Sequence, residues 1–425
     1  MFDTGTTGFM IVCAMLVLLM TPGLAFFYGG LSRRKNVVNT MVIVFTVIGI
    51  VGVTWTVCGW SFAYGGDGSV PFFGGFDQLG LFGAVQGMLA ETEAAPEGAA
   101  AYPGIVDVVF QMAFCMITTA IVTGAVAGRM KFGAVCAFLT VWTIVVYPPL
   151  AHMVWGGQGS LVGDVIGALD FAGGDVVHIS SGLTGLVLCL IAGKRRGFGL
   201  VSYRPHNVPY VALGATLLWF GWFGFNAGSE FAADGVAALA LVNTVAASGA
   251  ALVSWMLVER MRMGKPTLVG AATGLVAGLV VITPAAGFVE PWAAIVMGLM
   301  VSPVCYLAIS FCKRKFGYDD ALDAFGCHCV GGVVGGILTG LFCVPELSWT
   351  DFGGLLYTGD PSLLASQVLG ILVTVAFVGV ADVILGFAVK ACFKGSLRVS
   401  EEDEAQGLDV AAHGESAYPA YLGLD

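Results

Sequence analysis

The chain has 425 residues, of which 57% are hydrophobic and only 11% are charged. Soluble globular proteins carry about 25% charged residues, so this chain has too few to cover two or three water-exposed domains, and a bilayer must solvate much of its surface. The composition therefore excludes a cytosolic enzyme and a secreted disulfide scaffold. The net charge of -10 excludes a nucleic-acid binder, because phosphate contacts need a basic surface.

Hydropathy predicts an all-α polytopic membrane protein with eleven transmembrane helices. Each of eleven apolar segments is long enough to cross the hydrocarbon core. They lie near residues 7–31, 37–62, 104–128, 132–155, 170–193, 208–229, 235–259, 267–284, 287–312, 324–344 and 364–394. Gly occurs 62 times, about twice its usual share of roughly 7%, and such small residues let membrane helices approach closely.

The distribution of charge predicts the orientation. All 18 Lys and Arg residues fall in alternate connections or at the C-terminal end. The remaining connections carry acidic residues and no basic one: Asp67, Glu91, Glu93, Glu97, Asp164, Asp234, Glu290, Glu346, Asp351 and Asp360. By the positive-inside rule, the N-terminus lies outside and the C-terminus is cytoplasmic. An acidic outer face can concentrate cations, although acidic residues are also simply tolerated on that side.

A weak internal repeat relates spans 5 and 10. The pattern His-x-x-small-Gly-x-x-Gly begins at His178 and again at His328, and an aspartate precedes each histidine, Asp170 and Asp323. Spans 5 and 10 each close a set of five, and an odd number of spans inverts the second set relative to the first. We therefore predict two inverted five-helix halves, spans 1–5 and 6–10, followed by an eleventh helix.

This symmetry predicts that the two histidines lie near each other, midway through the bilayer. An ionisable residue inside a span usually marks a pathway, and neutral imidazole offers one donor and one acceptor to a small polar solute. The alternative is a pair of packing histidines. The triplet Cys327-His328-Cys329 does not predict a metal site, because helical neighbours point about 100° apart. We expect no metal and no cofactor.

Distinctive polar and aromatic residues gather at the predicted outer ends of spans 3 to 6. They are Phe110, Gln111, Phe114, Trp155, Asp170, Trp222, Phe225 and Ser229. Aromatic faces attract a cation with about 0.5–2 kcal/mol each, and a serine oxygen accepts a hydrogen bond. Taken singly, each aromatic is better explained by packing than by cation binding, and a tryptophan at a membrane interface usually belongs to the aromatic belt. We interpret Asp170 as a capping carboxylate that acts on the cation electrostatically rather than by direct contact.

Longer strings resemble those of ammonium transporters of the Amt/Mep/Rh family, over essentially the whole chain. They are PGLAFFYGGLSRRKN (22–36), FQMAF (110–114), HMVWGG (152–157), ALDFAGGDVVHISSG (168–182), GWFGFNAGS (221–229), GKPTLVGAATGLVAGLVVITPA (264–285), DDALDAFGCHCVGG (319–332) and SLRVSEEDEAQGLDVAAHGESAY (396–418). The presence of a tryptophan at position 155 resembles the Amt branch of this family rather than the Rh branch. Two features depart from the family pattern: the stretch between Trp155 and Asp170 is longer, and Asp175 adds a second acid.

The resemblance implies a role for each candidate residue in a homotrimer with one pore per protomer. The implied external ammonium site comprises Phe114, Trp155 and Ser229, with Asp170 as a required acid nearby. The implied gate is the stacked pair Phe114 and Phe225. The implied pore lining comprises the twin histidines His178 and His328 together with Trp222 and Thr273.

The same resemblance implies two regions and a set of partners. Residues 1–394 form the transmembrane domain, with repeats at about 7–193 and 208–344, and residues 395–425 form a cytoplasmic regulatory tail. The implied partners are ammonium or ammonia, its analogue methylammonium, neighbouring protomers, membrane lipid and the signalling protein PII. The implied location is the plasma (inner) membrane.

We therefore expect a transporter rather than an enzyme. Carrying an intact ammonium ion through a dry pore costs several kcal/mol or more in desolvation. We therefore expect that the ion is deprotonated at the mouth and that ammonia passes along the histidines. The sequence does not indicate the route of the proton. The alternatives are an ammonium sensor acting through the tail, an Rh-like gas channel, and a membrane metalloenzyme. The sequence lacks the H-E-x-x-H pair of ligands that would be expected of such an enzyme. No role is predicted for Asp382.

Overall fold

The structure, a computed structural model, describes residues 2–90, 102–201 and 203–418. Over these residues the chain is helical and contains no strand, apart from one isolated bridge between Met130 and Arg398. Within these described ranges, eleven helices are long and apolar enough to cross a membrane, as predicted. Spans 1 to 11 are Thr4–Leu31, Val37–Tyr64, Ile105–Val126, Phe132–Trp155, Gly174–Ala192, Val208–Gly228, Gly235–Met263, Leu268–Ala285, Pro291–Phe316, Phe325–Phe342 and Ser362–Cys392. Glu91, Glu93, Glu97 and residues 419–425 lie outside the described parts.

Several of these spans begin at a polar side chain that caps the first turn of the helix. Asp3 Oδ2 accepts a hydrogen bond from Thr6 N at 2.6 Å, and Asp234 Oδ1 accepts two from the first turn of span 7. Thr267 Oγ1 accepts from Gly270 N at 2.9 Å at the start of span 8. Each cap satisfies backbone donors that have no partner within the helix.

Spans 2, 4, 5, 9 and 10 depart from a regular α-helix, which hydropathy did not predict. Span 4 consists of two helices, Phe132–Val145 and Tyr147–Trp155, separated at Val146. The break occurs because Pro148 and Pro149 lack the N–H groups that a continuous helix would need. Spans 5 and 10 each begin with a wider π-helical turn, which carries the histidine, and such turns are common at functional sites.

The two halves interlock through spans 5 and 10. The α-helical part of span 5 packs on the first turn of span 10, and the α-helical part of span 10 packs on the first turn of span 5. Spans 1 and 6, the first of each half, pack along each other. This reciprocal packing is what an inverted repeat requires, and it places the histidine-bearing turns face to face in the middle of the protein.

The C-terminal segment lies across the face that carries the basic connections. Its short helices are Glu401–Gln406 and Leu408–His413. Asp409 accepts hydrogen bonds from Val37 N and Asn39 N at the start of span 2. The Glu404 carboxylate bonds to Arg398 and to the backbone N–H of Arg196. The segment therefore joins the connections before span 2 and before span 6.

Candidate functional site

An outer cavity of about 390 Å³ opens on the face that carries the acidic connections. Its lining includes Gln111, Phe114, Trp155, Asp170, Phe171, Ser229, Phe231 and Trp349. Four of these side chains were predicted as a binding site from sequence, and the structure brings them together. Trp349 and Phe231, which lie in outer connecting segments, were missed because hydropathy carries no information about how loops fold over a cavity.

Ser229 and Trp155 present complementary groups to this cavity. The Ser229 hydroxyl donates to the carbonyl oxygen of Phe225 at 2.9 Å, so its lone pairs remain available to accept from a cation. The Trp155 indole nitrogen donates to the carbonyl oxygen of Asp170 at 2.8 Å. Its ring stands edge-on to Phe114, with centroids 6.0 Å apart. The cavity thus offers aromatic faces and an acceptor oxygen.

The floor of the cavity is a stacked phenyl pair. The rings of Phe114 and Phe225 lie 4.0 Å apart at 14° to each other, and both side chains are buried. The His178 ring lies beyond, with its centroid 6.2 Å from that of Phe225. The two phenyl rings therefore separate the outer cavity from the histidines.

The Asp170 carboxylate is fully engaged by the backbone at the start of span 5. Oδ1 accepts from Gly173 N and Gly174 N at 2.8 and 2.6 Å, and Oδ2 accepts from Asp175 N at 2.8 Å and Val176 N at 3.4 Å. These bonds stabilise a carboxylate that is only 3% exposed. Its negative charge reaches the outer cavity without a free oxygen directed at the solute.

The structure brings the two histidines of the internal repeat into contact. The Nδ1 atoms of His178 and His328 are 3.3 Å apart, and both rings are buried. The close approach depends on the glycines of the repeat. A Cβ on Gly182 would lie 2.6 Å from Cys329 Cβ, and a Cβ on Gly332 would lie 2.9 Å from the carbonyl oxygen of Gly174, so neither position accepts a side chain without displacement of the opposing span.

The surrounding hydrogen bonds assign the tautomers of the pair. The Thr283 hydroxyl donates to the Leu279 carbonyl at 2.8 Å and accepts from Trp222 Nε1 at 2.9 Å. His178 Nε2 lies 3.3 Å from the same oxygen, so it must donate, which leaves Nδ1 of that ring as an acceptor. His328 therefore donates through Nδ1, and its Nε2 carries a lone pair.

An inner cavity of about 80 Å³ lies beyond His328. Thr273 lines it, but its hydroxyl is bonded to the backbone of its own helix at 2.8 Å. Trp222 packs against His178 with ring centroids 5.3 Å apart. Both residues predicted to line the pore thus lie next to the histidines, one on each side of the pair. Thr283, which orients His178, was missed, because its spacing from the histidines carries no signal.

The acid equivalent to Asp170 in the second half is Asp320, and the predicted pairing with Asp323 is wrong. Asp320 accepts from Ala324 N and Phe325 N at 3.1 and 2.8 Å, as Asp170 does at the start of span 5. Asp323 instead forms an ion pair with Lys313 at 2.7 Å. Each capping acid stands eight positions before its histidine, and that spacing could have identified the pair.

Two buried acids lie where span 11 packs on its neighbours: Asp175 faces that span, and Asp382 belongs to it. Asp175 Oδ2 lies 3.8 Å from the position that a Cβ atom would occupy if it were added to Gly370. Asp382, fully buried, accepts from Trp142 Nε1 at 3.1 Å. Asp175, the additional acid that departs from the family pattern, does not line the outer cavity.

Glu230 follows Ser229 in the chain and is half-buried. Among the described residues, its Oε2 atom has no hydrogen-bond partner. Burial, reinforced by the negative charge of Asp234, raises the pKa of Glu230 to about 7. This carboxyl thus changes its charge near neutral pH beside the outer cavity.

Comparison with known proteins agrees with this arrangement over nearly the full length. The profile of the Ammonium Transporter Family matches residues 8–418. An ammonium transporter of Aquifex aeolicus is 47% identical over 98% of this chain and 94% of its own length. An ammonium transporter of Bacillus subtilis is also 47% identical, over 97% of this chain and 98% of its own.

The chain belongs to the ammonium transporter family. It is a multi-pass membrane protein that transports ammonium and is not an enzyme. Among solved structures, the ammonium transporter fold is matched by Saccharomyces cerevisiae Mep2, with a TM-score of 0.86, 32% identity and coverage of 99% of this chain and 93% of that one. A sensor Amt protein is similar with a TM-score of 0.85 and 26% identity, over 96% of this chain and 98% of that one.

Proposed function

We propose that this ammonium transporter binds the ammonium ion in the outer cavity, where the ion gives up a proton that either returns to the outside or crosses separately. Neutral ammonia then passes between the phenyl rings and along His178 and His328. The single observation that supports this most is the stacked phenyl pair directly above two touching imidazoles. An ion passing between phenyl rings loses its water without gaining a charged partner, which costs several kcal/mol or more. Ammonia avoids that cost.

The cation site in this proposal comprises Phe114, Trp155 and Ser229. Two aromatic faces attract the cation by about 0.5–2 kcal/mol each, and the Ser229 oxygen accepts one of its N–H groups. Asp170 contributes negative charge through space while its oxygens remain bonded to the backbone. Below the gate, the His328 Nε2 lone pair can accept a hydrogen bond from ammonia.

The experiment measures the charge movement that ammonium evokes in proteoliposomes, together with the uptake of methylammonium. We expect His178→Ala and His328→Ala to change flux or ion selectivity while the protein still folds, whereas His206→Ala, in a connection outside the pore, should behave as wild type. Unchanged transport in both pore variants would remove the histidines from the mechanism. A wild-type protein that conducts ammonia without current would favour the Rh-like gas channel.

The proposed setting is a homotrimer in the plasma (inner) membrane, with the N-terminus outside and the C-terminus cytoplasmic. The confinement of basic residues to alternate connections supports this orientation. We further propose that residues 1–394 form the transmembrane domain and that residues 395–425 form a regulatory tail that contacts neighbouring protomers and a PII protein. Crosslinking of the purified protein and co-purification with PII at low and high ammonium would test both assemblies.

A second candidate function is ammonium sensing through the tail. The likeness to a sensor Amt protein and the contacts of Glu404 and Asp409 with the membrane domain support it. Deletion of residues 395–425 separates the two functions. A transporter without its tail keeps measurable uptake, whereas a sensor loses its downstream response and has negligible uptake from the start.

A further inference from the structure

A second small cavity, which we call the exit cavity, adjoins the inner cavity on the side away from His328. Its volume is about 30 Å³, and it is lined mainly by residues from the connections after spans 1, 3 and 5. Leu31 and Leu322 line both this exit cavity and the inner cavity. These two side chains therefore stand where the two spaces adjoin, on the face that carries the basic connections.

The exit cavity contains an aromatic ring between two guanidinium groups. The Arg195 guanidinium carbon lies 4.3 Å from the ring centroid of Tyr203, and that of Arg33 lies 5.1 Å from the same centroid. Both arginines and the tyrosine line the cavity. Such contacts hold the cationic groups in place, because the ring face attracts positive charge.

The two arginines differ in how their charge is balanced. Arg195 forms an ion pair with Asp319 at 2.6 Å, with further hydrogen bonds from its Nε. Arg33 has no carboxylate within ion-pair distance among the residues that the structure describes. The exit cavity therefore carries an uncompensated positive charge, supplied by Arg33.

We propose that Leu31 and Leu322 form an inner constriction and that Arg33, held with Arg195 around Tyr203, is a cation filter at the exit of the pore. This inference rests on the proposed passage of neutral ammonia. A guanidinium has only donors, so it can hydrogen-bond to the lone pair of ammonia, whereas it repels ammonium, which has no lone pair. The filter thus allows ammonia to leave and opposes entry of ammonium from the same side.

The test compares methylammonium uptake into inside-out and right-side-out vesicles that contain the full-length protein. The ratio of the two initial rates reports how readily the cation enters from the exit side. Removing one unit charge from the lining of the exit cavity should raise that ratio about two- to threefold in Arg33→Gln. Arg33→Lys keeps the charge and should restore the wild-type ratio.

The matched control is Arg34→Gln. Arg34 is the next residue, also lies over a tyrosine ring, at 5.5 Å from Tyr418, but does not line the exit cavity. An unchanged ratio in Arg33→Gln, or an equal rise in Arg34→Gln, would overturn the filter. Absence of uptake by wild-type protein would instead contradict the proposed function.

Leu322→Ala tests the constriction independently. Shortening this side chain widens the junction of the two cavities, so uptake should rise in both vesicle orientations while their ratio stays constant. Unchanged uptake in both orientations, from protein with wild-type thermal stability, would show that the leucine pair does not restrict passage.

Discussion

Trp155 illustrates how far a single side chain at the outer cavity could be predicted. Its position at the end of an apolar segment indicated the cavity, but its bond to the Asp170 carbonyl depends on a loop whose path no sequence pattern describes. The same holds for Thr283, whose hydroxyl orients His178. Residues recognised by type were predictable, whereas residues recognised only by the hydrogen bonds they make were not.

Trp155→Leu should weaken uptake at low methylammonium concentration while leaving the saturating rate close to wild type. The change removes an aromatic face worth about 0.5–2 kcal/mol to a cation, and binding, rather than passage, depends on that face. Initial rates over a range of concentrations measure the two separately. Trp155→Phe retains a ring and should lose less. Undiminished uptake by the leucine variant at low concentration would contradict the aromatic site.

Glu230 should make cation binding depend on pH. Because its pKa is raised to about 7, the carboxyl is neutral below that pH and negative above it. Apparent affinity for ammonium should therefore increase about twofold between about pH 6 and about pH 8, a range over which ammonium itself stays protonated. Concentration-dependent currents measure this. The increase should disappear in Glu230→Gln, and an identical pH profile in that variant would refute the role of the carboxyl.

Spans 5 and 10 show what could be predicted for whole elements. Their existence follows from hydropathy, and their relationship follows from the repeated glycines at a fixed distance from each histidine. Their π-helical first turns, at whose start Asp170 and Asp320 accept backbone hydrogen bonds, were not predicted, because hydropathy does not distinguish a π-helical turn from an α-helical one. Boundaries also shifted: span 5 begins at Gly174 rather than at 170, because the preceding residues form the capping loop.

Gly182→Ala should destabilise the contact between spans 5 and 10 by about 1–3 kcal/mol, the usual cost of overpacking. The added methyl would lie 2.6 Å from Cys329 Cβ, so the two spans must separate. Thermal unfolding in detergent measures the loss. Gly249→Ala is the matched control, since nothing lies within 4 Å of its added Cβ. Equal melting temperatures for the two variants would contradict the close approach.

At the scale of the whole molecule, the number of crossings was predictable from the hydropathy pattern, and the separation of basic from acidic connections was predictable from the positions of the charged residues along the chain. The docking of the C-terminal segment was not, because its sequence is acidic and polar, and composition indicates only a solvated tail. Its position depends on individual contacts, such as those of Glu404 with the Arg196 backbone N–H and of Asp409 with the Val37 backbone N–H. These contacts connect residues from distant parts of the chain and leave no local pattern.

Glu404→Gln should release this segment from the membrane domain. The Glu404 carboxylate is 3% exposed; it accepts from the Arg196 backbone N–H of the membrane domain and pairs with Arg398 of its own segment. A neutral amide weakens both contacts, and loss of one charge from a buried pair is strongly unfavourable. Hydrogen exchange over residues 397–413 should become faster. Glu402→Gln, at an exposed position of the same helix, should leave exchange unchanged. Equally slow exchange in both variants would show that the pair does not hold the segment.

The tautomers assigned to His178 and His328 make their hydrogen-bond chain directional, with His328 donating to His178 and His178 donating to Thr283. If a proton hops along such a chain, each donor becomes an acceptor, and the polarity of the whole chain is inverted. Both rings must then regain their starting arrangement before another hop. A chain of this kind can therefore pass only one proton before both rings have to turn over.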